Sequence, residues 1–436
     1  MDILRGIAGL FFLVALGYLF SADRKFINWK LVIAGIGLQL IIGILIFKVP
    51  VFGSFFNLIS NGFVKFLGFG IDGAAFLFGD LARNSEGNPA VRHNLGFLFA
   101  FQALPIVVFF SAISSLLYYF GILQKVVFGL AWVLKKMMRL SGAESLSAAG
   151  NIFLGQTEAP LLVRPFISSM TKSELHCLMT GGMATIAGTV MGAYVGLLGG
   201  GSEVEQVKFA TYLLGASLMS APAAIVFAKL FYPEKHIEDV RDELAVSKDK
   251  MGTNVLDALA NGATQGLKLA LNIGAMLIAF IALIYMVNWL MVEGIGEITG
   301  LNQFVVESTG GVYQGFSLQY LLGQLFRTLA FAMGVEWGDT LHVGSLLGQK
   351  IVINEFVAYF SFSGMVAEGS LSPKSVIIAT YALCGFANFG SIAIQIGGIG
   401  SMAPNRQADL SRLGLRALVA AFLASMMTAT VAGMLY

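Results

Sequence analysis

Two glutamates stand where an ionised side chain is expensive. Glu158 lies in the run GNIFLGQTEAPLLVRPFI and Glu355 in GQKIVINEFVAYFSF, each among apolar residues and each preceded by a polar one, Thr157 or Asn354. A carboxylate at the centre of a bilayer costs at least about 2.5 kcal/mol, so each needs compensation. One form is a buried ion pair, for which Arg164 is the candidate partner of Glu158; the other is a ligand. Gln156, Thr157 and Asn354 supply donors and acceptors beside the two carboxylates, which suits a ligand rich in hydroxyl and amide groups. Arg164 and Lys350 fit the hairpin limbs, where neutralising a carboxylate or reaching towards the membrane surface are their simplest roles.

Asn388 and Ser391 in GFANFGS form a further polar pair inside an apolar run, and Gly385 and Gly390 weaken the helix around them. A lone helix–helix hydrogen bond would satisfy Asn388; a place opposite Glu355 would make it a ligand contact. Phe386 could stack on a planar ligand, although with 36 phenylalanines in the chain packing is the default for any one of them. Asn151 and Thr185 point to a monovalent cation, which takes oxygens from amides, hydroxyls and carbonyls freed where helices break. Other chemistries lack their residues. There is no HExxH spacing and no Walker loop, Asp80 and Asp339 fall near segment ends, and His93, His176, His236 and His342 sit in loops or at segment edges.

What positions these residues is a membrane. The 436 residues are 57% hydrophobic and only 12% charged, about half the roughly 25% of soluble domains. Mean hydropathy is +0.79. Apolar stretches of about 20 residues, enough to cross a bilayer core, read as eight spans at 5–20, 30–48, 95–120, 175–199, 207–231, 266–291, 375–399 and 413–435. Phe63 to Asp80 and Phe316 to Glu336 read as interfacial amphipathic helices, the second with Leu318, Leu321, Leu322, Leu325 and Leu329 at helical spacing. The positive-inside rule puts both termini outside. Inner loops then carry Lys125, Lys135, Lys136 and Arg139, and a charged linker at 232–252 with Arg241, Lys248 and Lys250; Arg92 is among the exceptions outside. Cys177 and Cys384 read as buried thiols. The first span lacks a signal-peptide pattern, and the charge of +2, without a basic run, gives no sign of nucleic-acid binding.

Ser141 to Met170 and Asp339 to Gly364 are apolar at their edges and polar in the middle. Non-helical backbone at membrane depth survives only in protein or beside a wet cavity, so each reads as a re-entrant hairpin. Each is followed by a span with a polar break, at Thr185–Thr189 and Asn388–Ser391, and the two units enter from opposite sides. This is the inverted repeat of a secondary transporter.

Gly348-x-Lys350-x3-Asn354-Glu355-Phe356-Val357-Ala358-Tyr359, with Gly155-Gln156-Thr157-Glu158-Ala159-Pro160 and Cys384-Gly385-Phe386-Ala387-Asn388-Phe389, resembles the signatures of the concentrative nucleoside transporters. The likeness covers essentially the whole chain, in the short eight-span bacterial form. It implies an all-α polytopic protein of the bacterial inner membrane and a homotrimer. It implies scaffold parts at 1–140 and 233–338, and a mobile transport part made of 141–232 and 339–436 that shifts like an elevator. By that resemblance Gln156, Thr157 and Glu158 face the nucleobase, with Phe386 and Val190 against it, and Glu355, Asn388 and Ser391 hold the ribose. Co-transported sodium would be held by Asn151, Leu154, Thr185 and Ile186. Thr185 stands where relatives often have Ser and keeps the hydroxyl; Gly390, where relatives often have Ser, lacks one. The expected activity is sodium-coupled nucleoside symport. Proton coupling is the nearest alternative; a passive channel and a membrane-embedded hydrolase stand further off, the hydrolase lacking any metal triad or nucleophile–base pair.

Overall fold

Short polar side chains mark many of the helix starts, because each satisfies one of the amide groups that a helix leaves free at its N-terminus. Asn28, Ser202, Asn254, Ser317, Ser372 and Asn388 all accept from an amide of the first turn. The computed structural model describes residues 2–83, 97–235 and 252–436. Arg92, His93, His236 and the charged part of the 232–252 linker, including Arg241, Lys248 and Lys250, lie outside the described residues. Within them the regular elements are helical, and seven helices are long and apolar enough to cross a membrane.

Among the described residues helices lie along the eight expected spans, at Asp2–Leu19, Trp29–Lys48, Leu104–Tyr119, the broken Lys172–Ala184 and Gly188–Gly199, Glu203–Phe231, Val255–Trp289, the broken Pro373–Leu383 and Phe389–Met402, and Gln407–Leu435, although the first and Phe389–Met402 are shorter than a full crossing needs. Two expectations change. Lys125, Lys135 and Lys136 are not in a loop but on a helix, Ile122–Met138, whose buried Val127, Ala131, Leu134 and Met138 form one face. Phe63 to Asp80 belongs mostly to a longer helix, Pro50–Phe78, and Pro50–Ala82 is itself long and apolar enough for a crossing. In Leu318–Ala332 the leucine stripe is divided: Leu321 and Leu325 are exposed, while Leu322 is buried with Tyr320, Gly323 and Ala330. Gly323 lets this helix lie against the backbone of Leu341, where an added Cβ would come within 2.8 Å of the carbonyl.

The two repeats share one order of parts: hairpin, broken span, closing span. The hairpins are Gly142–Gly150 with a second limb of short helices at Ala159–Leu162 and Arg164–Ile167, and Thr340–Val352 with Glu355–Ala367. Each closing span, Glu203–Phe231 and Gln407–Leu435, has 29 residues, and the two pack on each other. Burial separates this body from its surroundings. The apolar window of Glu203–Phe231 is 89% buried, against 17% for Val255–Thr299. Val255–Trp289 instead packs tightly along Leu104–Tyr119. Close approach there depends on Gly266, whose added Cβ would fall 2.7 Å from Val108 Cα, the small-residue contact typical of membrane helices.

The base of the first hairpin is held by charge. Ser141 with Glu144, and Thr171 with Glu174, form capping boxes. Lys229, on the closing span and buried, pairs with Glu144 and donates to Ser173 Oγ at 2.9 Å. At the surface, Lys235 Nζ donates to Asp23 at 2.7 Å, and that hydrogen bond holds the Asp23 carboxyl below its ordinary range.

Candidate functional site

Both broken spans lose their helix where polar residues and glycine meet. The first stops at Ala184 and resumes at Gly188, with Thr185 and Ala187 extended. The second stops at Leu383 and resumes at Phe389. Between them Gly385 adopts φ +137, a region side chains disfavour, and an added Cβ would sit 2.7 Å from Ala184 O. The two breaks therefore cross in contact, with helix N-termini and freed backbone groups gathered at one place.

Glu355 opens the helix Glu355–Ala367, where the helix dipole favours a negative charge. Its Oε2 accepts from Asn388 Nδ2 at 2.7 Å and its Oε1 from the Tyr194 hydroxyl at 3.3 Å. Asn388 is doubly used, because its Oδ1 also accepts from Ser391 N at 2.8 Å. Ser391 Oγ in turn accepts from Gln156 Nε2 at 3.1 Å. A continuous chain of contacts thus runs Tyr194–Glu355–Asn388–Ser391–Gln156, joining both repeats. A carboxylate offers about four lone-pair sites, so Glu355 keeps capacity for further donors. Asn354, expected beside the carboxylate as a ligand group, uses its Oδ1 to cap the helix through Val357 N at 2.9 Å.

The first tip is arranged differently. Residues between Gly150 and Ala159 form turns, not helix. Gln156 is buried with Oε1 lacking a hydrogen-bond partner. Thr157 is exposed, its methyl beside Gly398, and Glu158 is half-buried with its carboxylate accepting from Gly155 N at 3.3 Å. Glu158 also borders a small cavity with Ser111, Ser114, Ser115 and Gln265 of the two outer helices. The structure therefore brings Gln156 into the Glu355 network and leaves Glu158, next to it in the same tip, beside this cavity. Val190 is buried in the first turn after its break, and Phe386 is half-buried within the other.

Of the four expected ion ligands, Asn151 and Thr185 meet at Gly181, just before the first break. Asn151 is buried and neither its Oδ1 nor its Nδ2 has a hydrogen-bond partner. An unsatisfied buried amide is costly, and its Oδ1 is an oxygen of the kind a monovalent cation takes. Its Nδ2 lies 3.0 Å from where a Gly181 Cβ would be, and Thr185 Oγ1 donates to Gly181 O at 3.0 Å. Ile186 follows outside both half-helices, and Leu154 is buried in the irregular tip.

Two residues escaped the sequence reading, as did the contacts of a third. Tyr194 stacks on Tyr359, ring centroids 4.2 Å apart, and holds Glu355; its signal is a polar ring in the glycine-rich span. Gln395 is wholly buried and donates to Met179 O at 3.0 Å, crossing between the broken spans. Lys350 lies in its hairpin limb as expected, but it is wholly buried and its partners were not foreseen: it donates to Ala382 O at 2.8 Å and Ser425 Oγ at 3.0 Å and does not reach towards a surface.

Comparison with known proteins covers the whole chain. Residues 8–81 match the description Na+ dependent nucleoside transporter N-terminus, 212–433 its C-terminus, and 100–201 a domain described as nucleoside recognition. An uncharacterized transporter of Haemophilus influenzae is 43% identical, covering all of this chain and 98% of that protein. The sodium/nucleoside cotransporter 2 of Rattus norvegicus is 37% identical over 98% of this chain, which spans 62% of that longer protein. Among solved structures, CNTnw in an inward-facing substrate-bound state is 40% identical, covers 100% of this chain and 98% of that one, and superposes with a TM-score of 0.86. A CNTnw variant in an outward-facing state is 39% identical with a TM-score of 0.85, again over 100% and 98% of the two chains.

Proposed function

The chain belongs to the Na+ dependent, concentrative nucleoside transporter family, and from that premise we propose that it is a sodium-coupled symporter accumulating nucleosides such as uridine. The observation that carries this reading is the buried Glu355–Asn388–Ser391–Gln156 network at the crossing of the two breaks, beside an Asn151 amide left without partners. Ribose hydroxyls donate to the spare lone pairs of Glu355, and Asn388 and Ser391 bind the sugar from the other side. Gln156, Thr157 and Glu158 meet the polar edge of the base, with Val190 and Phe386 on its faces. Tyr194 and Asn388 hold Glu355 in place before the sugar arrives, which lowers the ordering cost of binding.

Sodium enters at Asn151, Thr185 and the carbonyls of Leu154 and Ile186. It straps the irregular first tip to the first break, which presents Gln156 in position. Ion and nucleoside then favour each other by the same factor, since coupling is reciprocal. The well-buried repeats, 141–232 and 339–436, move together against the outer helices of 1–140 and 233–338 in an elevator-like alternation, within a homotrimer in the cell membrane.

The test is uptake of radiolabelled uridine into proteoliposomes of the full-length protein. A sodium gradient drives accumulation above the outside concentration, and a proton gradient alone does not. Uptake driven by protons and indifferent to sodium overturns the ion assignment; equilibration without accumulation makes the protein a passive channel.

A further inference from the structure

The symport reading leaves Lys350, in the second repeat, without a task. Its side chain is wholly buried, and a charged ammonium taken out of water is costly unless it is well coordinated. Its hydrogen bonds go to neutral oxygens: Ala382 O at 2.8 Å and Ser425 Oγ at 3.0 Å. The one Ser425 hydroxyl proton is within reach of Cys384 O at 3.3 Å and of Ala421 O, in its own helix, at 3.2 Å. Ala382 and Cys384 flank the point where Pro373–Leu383 stops. Carbonyls at such an end lack helical partners and carry the negative end of the helix dipole. A cation set among carbonyl and hydroxyl oxygens at a helix break is the description of a monovalent-ion site, with the ion supplied by the protein.

The first repeat has the same parts in the same order, without the lysine. Asn151 directly follows the first limb of its hairpin, as Lys350 lies in the last turn of the first limb of the other. Asn151 lies against Gly181, in the last turn before the first break; Lys350 reaches Ala382, in the last turn before the second. Each closing span sends a serine to the arrangement: Ser217 donates to Ile152 O at 2.8 Å, and Ser425 is within reach of Cys384 O. The repeats differ in satisfaction. The Asn151 amide has no partners, whereas the Lys350 ammonium has its oxygens.

We propose that the Lys350 ammonium is a tethered cation, serving the second repeat as the mobile ion serves the first, so that the second hairpin and its broken span are held together permanently and one exchangeable cation site remains. Lys350 is on this account a positioning residue for Glu355 and Asn388, acting through the break that it fastens. The proposal rests on the symport reading for the identity of the mobile ion, and not for the role of the lysine.

Two variants of the full-length protein test it, each compared with wild type for uridine binding and thermal unfolding in sodium and in sodium-free N-methylglucamine buffer. Lys350→Ala removes the atoms that n-propylammonium would replace. We expect it to lose at least about tenfold in uridine affinity at saturating sodium, a loss on the order of one charged hydrogen bond. n-Propylammonium should restore affinity and melting temperature, and n-propanol should not. Wild-type affinity without any amine overturns the proposal, as does a folded variant that propylammonium leaves unimproved. Asn151→Lys transfers the device to the first repeat and remains informative if Lys350→Ala does not fold. We expect its uridine affinity and melting temperature to become insensitive to sodium; sodium dependence equal to wild type overturns the equivalence. A wild-type protein whose uridine binding ignores sodium refutes the symport reading, while rescue of Lys350→Ala stability by propylammonium still decides the lysine.

Discussion

The two hairpins are fastened at opposite ends. The first is pinned at its base, where Lys229 joins Glu144 to the closing span, and its tip is a run of turns with an exposed Thr157 and an unsatisfied Asn151. The second is fastened near its tip by Lys350, and it presents Glu355 in a completed network. One sequence plan, used twice, has yielded one tip that needs an ordering agent and one that does not. On the proposed reading, the first repeat senses the ion and the second is the rigid sugar clamp.

The largest effect should come from the first hairpin's base. Lys229→Met leaves Glu144 as a buried charge without its partner, a loss of about 3–5 kcal/mol, seen as a lower melting temperature of the purified protein; an unchanged melting temperature would show that the base is not pinned by charge. Next comes the second tip. Glu355→Gln exchanges charged for neutral acceptors and should weaken nucleoside binding by about 2 kcal/mol, roughly 30-fold, in calorimetric titration, without shifting the sodium dependence. Asn151→Ala should do the reverse. The sodium needed for half-maximal binding rises about fivefold, on the order of 1 kcal/mol, while affinity at saturating sodium stays near wild type. If both variants shift both quantities equally, the division between the repeats is wrong. The smallest effect lies outside both. Asp23 has a carboxyl pKa below its unfolded value of 3.8 because Lys235 donates to it. Its contribution to stability is present above that value and is lost as pH falls through the folded one. Asp23→Asn should lower the melting temperature slightly at neutral pH and converge on wild type as the pH drops below 3.8.

Much of the fold was legible because lipid imposes a length and a polarity on every crossing, and the hairpins betrayed themselves by polar residues at apolar depth. Gln156, Glu355, Asn388 and Ser391 were found that way and do form one network. What escaped depends on long-range pairing. Lys350 and Lys229 sit in apolar runs like snorkelling residues, and only contacts with Ala382 and Glu144 give them their tasks. The helix-capping role of Asn354 Oδ1 escaped because an asparagine before a helix serves the backbone as readily as a ligand. The Ile122–Met138 helix was hidden by its lysines, whose charge read as loop while Val127, Ala131 and Leu134 kept helical spacing beneath.

The hydrogen bond from Gln156 to Ser391 bears on speed. On the proposed reading, each partner meets a different end of the nucleoside, and the arriving solute must take them from each other. Binding is then an exchange of one hydrogen bond for others. Such an exchange shallows the well and lowers the barrier on both sides of it. A carrier gains turnover from a site that is never wholly without a partner, since the bond that yields on loading re-forms as the solute leaves.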